Sequence, residues 1–128
     1  MNIGEAAEAS GVSAKMIRHY ESIGLIPKAT RSLSGYRTYQ ESDIHTLGFV
    51  RRARRLGFSM KEIKTLVGLW RNKARKSADV KAVVDVQIES LEQKITELEA
   101  MKSALKDLAR RCRGDSRPDC PILEGLAT

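Results

Sequence analysis

Residues 3–22, IGEAAEASGVSAKMIRHYES, hold the pattern on which the fold turns. Over residues 3–10, Ile3, Ala6 and Ala7 fall on one face of a short helix. Gly11 breaks that helix, and Ser13 is placed to cap a second one over residues 14–22. Met16, Ile17 and Tyr20 then face inward. Gly24 closes the second helix and Pro27 stops any continuation. Two short helices joined by a tight glycine-containing turn read as a helix-turn-helix. Many helical hairpins share that pattern, so the flanking sequence has to decide.

Downstream, RSLSGYRTY at residues 31–39 places Ser34-Gly35 between short stretches of β-formers. This predicts a small hairpin, a wing, with Arg31 and Arg37 flanking its tip. Residues 42–56 predict a third helix with Ile44, Leu47 and Val50 at helical spacing, ended by Gly57. Ser59 and Glu62 form a capping box that opens a fourth helix. Its apolar residues Ile63, Leu66, Val67 and Trp70 are expected to form one buried stripe.

Residues 71–78 (RNKARKSA) are polar and basic and read as a linker, with Asp79 capping the next helix. From Val80 to about Arg111 neither Gly nor Pro occurs. Val84, Ile88, Leu91, Ile95, Leu98, Leu105 and Ala109 trace a heptad seam, broken where Lys102 occupies a core position and Met101 can substitute. A helix of ~30 residues spans roughly 45 Å, too long to bury its stripe on a domain of this size. It asks for a partner helix, most simply its own copy. The seam itself does not separate a parallel from an antiparallel pairing.

The 128 residues suit one domain or a small domain with an appendage. The net charge of +7 is uneven. Residues 1–76 hold fifteen Lys/Arg against six Asp/Glu, whereas residues 77–128 hold eight against ten. A basic front half points to a polyanionic partner there, though charge alone fits a solubilising surface equally well. No apolar run approaches the ~18 residues of a membrane span. No leader pattern opens the chain, so the cytoplasm is the expected compartment. An enzyme is not expected, because no nucleophile–base pair, phosphate-cradling glycine loop or paired-carboxylate motif is found.

Lys15, Arg18 and His19 lie on the outward side of the second helix, where Arg18 can reach a guanine edge or a phosphate. The wing adds Arg31, Tyr36 and Arg37. Tyr20 reads as core, with its hydroxyl in reach of a phosphate. The run Arg51-Arg52-Ala53-Arg54-Arg55 cannot point one way on a helix, and Arg54 is taken as its DNA contact.

The two cysteines, Cys112 and Cys120, flank a loop containing Gly114 and Pro118 that can bring the sulfurs together. Cys112 continues the heptad seam seven residues after Leu105. In a reducing compartment a structural disulfide is disfavoured. Two thiolates without a further ligand suit two-coordinate soft ions, Cu(I), Ag(I), Au(I) or Hg(II), whereas zinc asks for four ligands. With a monovalent ion the site carries −1, which loop amides, a helix beginning near Pro121, Arg113 or Arg117 can offset. The spacing alone also fits buried apolar cysteines or a redox disulfide.

Together MNIGEAAEASGVSAKMIRHYE, GLIP, SGYRTY, RRARRLGFSMKEI and the tail SADVK…CRGDSRPDCPI resemble the MerR family of transcription activators over the whole chain, and within it the copper-efflux regulator branch. The resemblance implies a mainly α protein: a winged helix-turn-helix at 1–70, a hinge at 71–78, an antiparallel coiled-coil dimerisation helix at 79–111, and a metal-binding loop with a short helix at 112–128. It implies that Cys112 and Cys120 bind Cu(I), Ag(I) or Au(I) in linear geometry. Ser77 stands where branches sensing divalent metals carry a cysteine, and Arg113 and Pro118 lie at positions that vary within the branch and bear on ion preference. The implied partners are double-stranded promoter DNA, RNA polymerase and a second copy of the chain. The implied mechanism is metal-driven distortion of an over-long promoter spacer. A thiol redox switch on the same frame, and an architectural DNA-binding protein with incidental cysteines, are the alternatives.

Overall fold

In the computed structural model, which describes residues 1–127, three of the four helices of the front half start at a side-chain cap. Asn2 Oδ1 accepts the Glu5 amide at 2.8 Å and opens α1 (Ile3–Ser10). Ser13 Oγ accepts the Met16 amide at 3.2 Å and opens α2 (Ala14–Ser22). Between them Gly11 sits at φ +74°, and a Cβ there would come within 2.9 Å of the Arg51 guanidinium. Any side chain at residue 11 would therefore strain the turn and displace Arg51.

The wing consists of β1 (Thr30–Arg31) and β2 (Arg37–Thr38), paired antiparallel with Thr30 opposite Thr38 and Arg31 opposite Arg37. Its loop is wider than a two-residue turn: the Ser32 amide donates to Tyr36 O at 2.7 Å and the Gly35 amide to Ser32 O at 2.9 Å. Beyond β2 the Tyr39 amide bonds Met1 O at 2.7 Å, and the Met1 ammonium bonds Tyr39 O at 3.0 Å.

The third helix, α3, runs Glu41–Arg55, starting one residue before the expected position. Asp43 Oδ2 accepts the Gln40 amide at 2.9 Å, which fixes the start at Glu41. The capping box of α4 (Met60–Arg71) forms as expected: the Ser59 amide donates to Glu62 Oε1 at 2.9 Å and the Glu62 amide to Ser59 Oγ at 3.2 Å. Ile63, Leu66 and Val67 are buried. Trp70 departs from the expected stripe: it is 41% exposed and stacks flat on Phe49 at 4.6 Å. The helix has turned its last residues toward the rim of the core, where an indole finds a ring to lie on but no pocket.

These elements belong to one compact unit, Met1–Asp85. Ala6, Ile17, Leu47, Val50 and Ile63 are fully buried at its centre, with Tyr20, Ile26 and Tyr39 nearly so. Arg71 closes it by donating from Nη2 to Leu25 O at 3.1 Å.

The non-helical connection after α4 is shorter than the expected linker, because α5 (Ser77–Arg111) begins at Ser77. The Asp79 amide bonds Lys76 O at 3.0 Å, so Asp79 lies inside the first turn and is not the cap. Its carboxylate complements the positive helix end there. The second unit begins at Val86 and holds the rest of α5, the cysteine loop and α6 (Pro121–Ala127). In α6, Gly125 stands against α5: a Cβ there would approach Leu108 Cδ2 to 2.8 Å. Along α5 the seam residues Ile88, Leu91, Ile95, Leu98 and Leu105 are all exposed in the single chain. Among the described residues no helix is long and apolar enough to cross a membrane.

Candidate functional site

Amphipathic α2 divides its residues by task. Ile17, Tyr20 and Glu21 are buried, while Lys15, Arg18 and His19 stay exposed. With the wing, α2 bounds an open groove lined by Arg18, Lys28, Arg31 and Arg37, with Glu21 among these cations. Arg31 Nη1 donates to Gly35 O at 3.0 Å, which holds it along the wing loop. Arg37 Nη1 donates to Glu21 Oε2 at 3.0 Å, so part of its charge is met inside the protein. Tyr36 and Leu33 project from the wing, both well exposed.

A second concavity lies at the helix-turn-helix turn, lined by Val12, Ser13, Met16, Tyr20, Arg51, Arg54 and Arg55. Here the N-terminal amides of α2 and three guanidiniums share one surface, a combination suited to phosphate. Tyr20 is core, at 1% exposure, and its hydroxyl accepts from Arg54 Nη1 at 2.9 Å. The bond orients Arg54 and leaves the phenolic proton available to an anion. The His19 ring leans on Tyr20 at 5.9 Å between centroids. Glu21 and Lys28 escape a reading of sequence, and Arg51 and Arg55 join Arg54 from the basic run. The role of Glu21 depends on Ala29 and Arg37, which no local spacing announces.

The thiols stand at the two ends of a loop. Cys112 follows α5 directly and its amide still bonds Ala109 O at 3.2 Å. The chain then turns through Gly114 at φ +65°. Cys120 occupies the position before α6, and its carbonyl accepts the Glu124 amide at 3.2 Å. Both cysteines are free and half-buried. The Leu123 amide does most to hold the Cys120 thiol below its ordinary range. The Ile122 amide and the Cys112 thiol act the same way, while partial burial and Glu124 oppose them. Backbone N–H groups at the start of α6 thus act on the Cys120 sulfur in the direction that favours its ionised form.

Arg117 is occupied within the loop, donating from Nε to Asp115 Oδ2 at 3.2 Å and from its amide to Asp115 Oδ1 at 3.0 Å. Arg113 and Pro118 are exposed, as is Ser77 at the start of α5. Among the described residues no group of three His, Cys, Asp or Glu side chains could hold an ion.

Residues 2–39 match the family described as MerR family regulatory protein, and residues 44–108 match MerR, DNA binding. The chain is 58% identical over 127 residues to the HTH-type transcriptional regulator HmrR of Sinorhizobium medicae (strain WSM419), an alignment covering 99% of this chain and 86% of the relative. It is 42% identical to the HTH-type transcriptional regulator CueR of Escherichia coli O6:H1, covering 99% of this chain and 94% of that protein. The crystal structure of the transcription regulator PbrR691 from Ralstonia metallidurans CH34 in complex with lead(II) superposes with a TM-score of 0.87 at 34% identity, covering 98% of both chains. With these matches over a basic helix-turn-helix face, a wing and a long helix, the chain belongs to the MerR family of DNA-binding transcriptional regulators.

Proposed function

We propose that the chain is a metal-responsive activator of the copper-efflux regulator type. It works in the cytoplasm as a homodimer, joined through an antiparallel pairing of α5, on a promoter with an over-long spacer. The observation that carries the ligand assignment is the pair of free, half-buried thiols at the two ends of one loop, with the first amides of α6 acting on Cys120. Two thiolates with amide donors suit Cu(I), Ag(I) or Au(I), because N–H groups offset the residual negative charge that a monovalent ion leaves. When bound, the ion supplies bonds to both sulfurs and ties the end of α5 to the start of α6. Ser77, with no thiol, fits a set limited to Cys112 and Cys120, and Arg113 and Pro118 shape the loop that tunes ion preference.

Lys15, Arg18 and His19 contact DNA from α2, and Arg31, Tyr36 and Arg37 from the wing. Tyr20 and Arg54 act together at the phosphate backbone. For activation, metal binding must favour one dimer shape, and that shape must favour the distorted spacer that RNA polymerase recognises. The similarity to CueR, the lead(II) complex of the related PbrR691 and the two free thiols support this reading.

Cys112→Ser or Cys120→Ser is expected to abolish activation by Cu(I) in a promoter–reporter assay and to leave operator affinity within about twofold of the parent at fixed salt. Loss of operator binding in either variant would make the cysteines structural. The adjacency of two free thiols also favours a redox switch as second reading. In that case mild oxidant links the thiols, while Cu(I) at very low free concentration fails to shield them from alkylation.

A further inference from the structure

The wing is too small to hold itself in place. Its strands are two residues each, paired at two positions, and a lone hairpin of any length is marginal in water. Among the described residues, the side-chain hydrogen bonds that join it to α2 come from Glu21. Glu21 has a side chain 8% exposed, and both of its oxygens are used across the groove. Oε1 accepts the amide of Ala29, just before β1, at 2.6 Å. Oε2 accepts from Arg37 of β2 at 3.0 Å. One carboxylate of α2 therefore holds both arms of the wing. It is also the one acidic group lining a groove otherwise carrying Arg18, Lys28, Arg31 and Arg37.

Resting on the DNA-binding reading of this face, we propose that Glu21 is a positioning residue that sets operator specificity. It locks wing and recognition helix into one register, and its charge weakens the hold of the face on unrelated DNA. Phosphate attraction is independent of sequence, so an anion among the cations lowers all binding alike. Register benefits only the duplex whose base edges and phosphates meet Arg18 and Arg31 together. The two effects combine to raise the ratio of specific to non-specific affinity.

Glu21→Gln tests this directly. Its single amide oxygen can still accept from Ala29, whereas its NH2 group meets the Arg37 donors without an acceptor. Affinities are measured at one salt concentration for a duplex enriched by the protein from a randomised pool and for a scrambled duplex of equal length. The expected result is about fivefold tighter binding to the scrambled duplex, no gain on the enriched one, and a specificity ratio lower by roughly fivefold. Adding Arg37→Leu to Glu21→Gln should weaken both duplexes alike through the lost cation and lower the ratio no further, since the two act as a unit on the register. An unchanged ratio, or a parallel loss of both affinities tracking a lower Tm, overturns the proposal. Should Glu21→Gln fail to fold, Arg37→Leu alone keeps the Ala29 bond and is still expected to lower the ratio; an unchanged ratio there also overturns it. Arg18→Ala serves as the control. If it leaves both affinities unchanged, the DNA-binding reading of the face is at fault. If it weakens binding while Glu21→Gln preserves the ratio, only the role of Glu21 fails.

Discussion

The two compact units treat their apolar residues in opposite ways. In Met1–Asp85, Ile17, Leu47, Val50 and Ile63 are completely buried within a single chain. Along the rest of α5 the seam residues Ile95, Leu98 and Leu105 stay 54–60% exposed. Polar groups follow the same division. Helices α1, α2 and α4 each open on a side-chain cap, whereas the ion pair Arg111–Asp107 near the end of α5 is solvent-exposed and worth little. A single chain thus closes the core of its front unit and leaves a regular row of apolar residues along α5 exposed. Under the proposed function, that row is the surface that a second copy would cover.

Charging the seam is the severest test of this division. Ile95→Asp with Leu98→Asp should convert a dimer to a monomer in sedimentation experiments. It should also weaken operator binding by about 10²–10⁴-fold, as two linked contacts become one. A charged seam that remains dimeric would mean the stripe is not the interface. The reciprocal change, Leu47→Ala, empties space in the closed core and should lower unfolding stability by about 2–5 kcal/mol, read by denaturant titration. A loss well under ~1 kcal/mol would mean that the core is looser than its burial implies. Smaller again is Arg18→Ala, which should weaken operator affinity by about 1–3 kcal/mol at fixed salt without moving the unfolding transition. An unchanged affinity would remove Arg18 from the contact surface.

Short-range signals made the front unit legible in sequence. Gly11, Ser13 and the Ser59–Glu62 box act within three residues, so the bounds of α1, α2 and α4 emerge from spacing alone. Through-space relations stayed hidden. Nothing in the spacing of Trp70 reveals that it lies on Phe49 at the rim of the core. The pairings of Tyr20 with Arg54 and of Glu21 with Arg37 join residues 34 and 16 positions apart, and only the fold brings them together. Asp79 looked like a cap because its residue type suits one, but helical hydrogen bonding reaches back to Lys76 and absorbs it into the first turn. At the thiol pair, cysteine spacing and Pro121 suggested a helix start near the second sulfur. The Leu123 and Ile122 amides that meet that sulfur became visible only once α6 was formed.

Whether Cys112 and Cys120 alone hold a monovalent ion is decided by a promoter–reporter titration. Cu(I), Ag(I) and Au(I) are compared with Zn(II) and Hg(II) at matched free concentration, in the parent and in Cys112→Ser and Cys120→Ser. The expected result is activation by one or more of the three monovalent ions, none by Zn(II) or Hg(II), and none by any ion in either variant. Activation by Zn(II) in the parent, or by a monovalent ion in a variant lacking one thiol, would refute the two-sulfur assignment, and activation by Hg(II) would refute its restriction to monovalent ions.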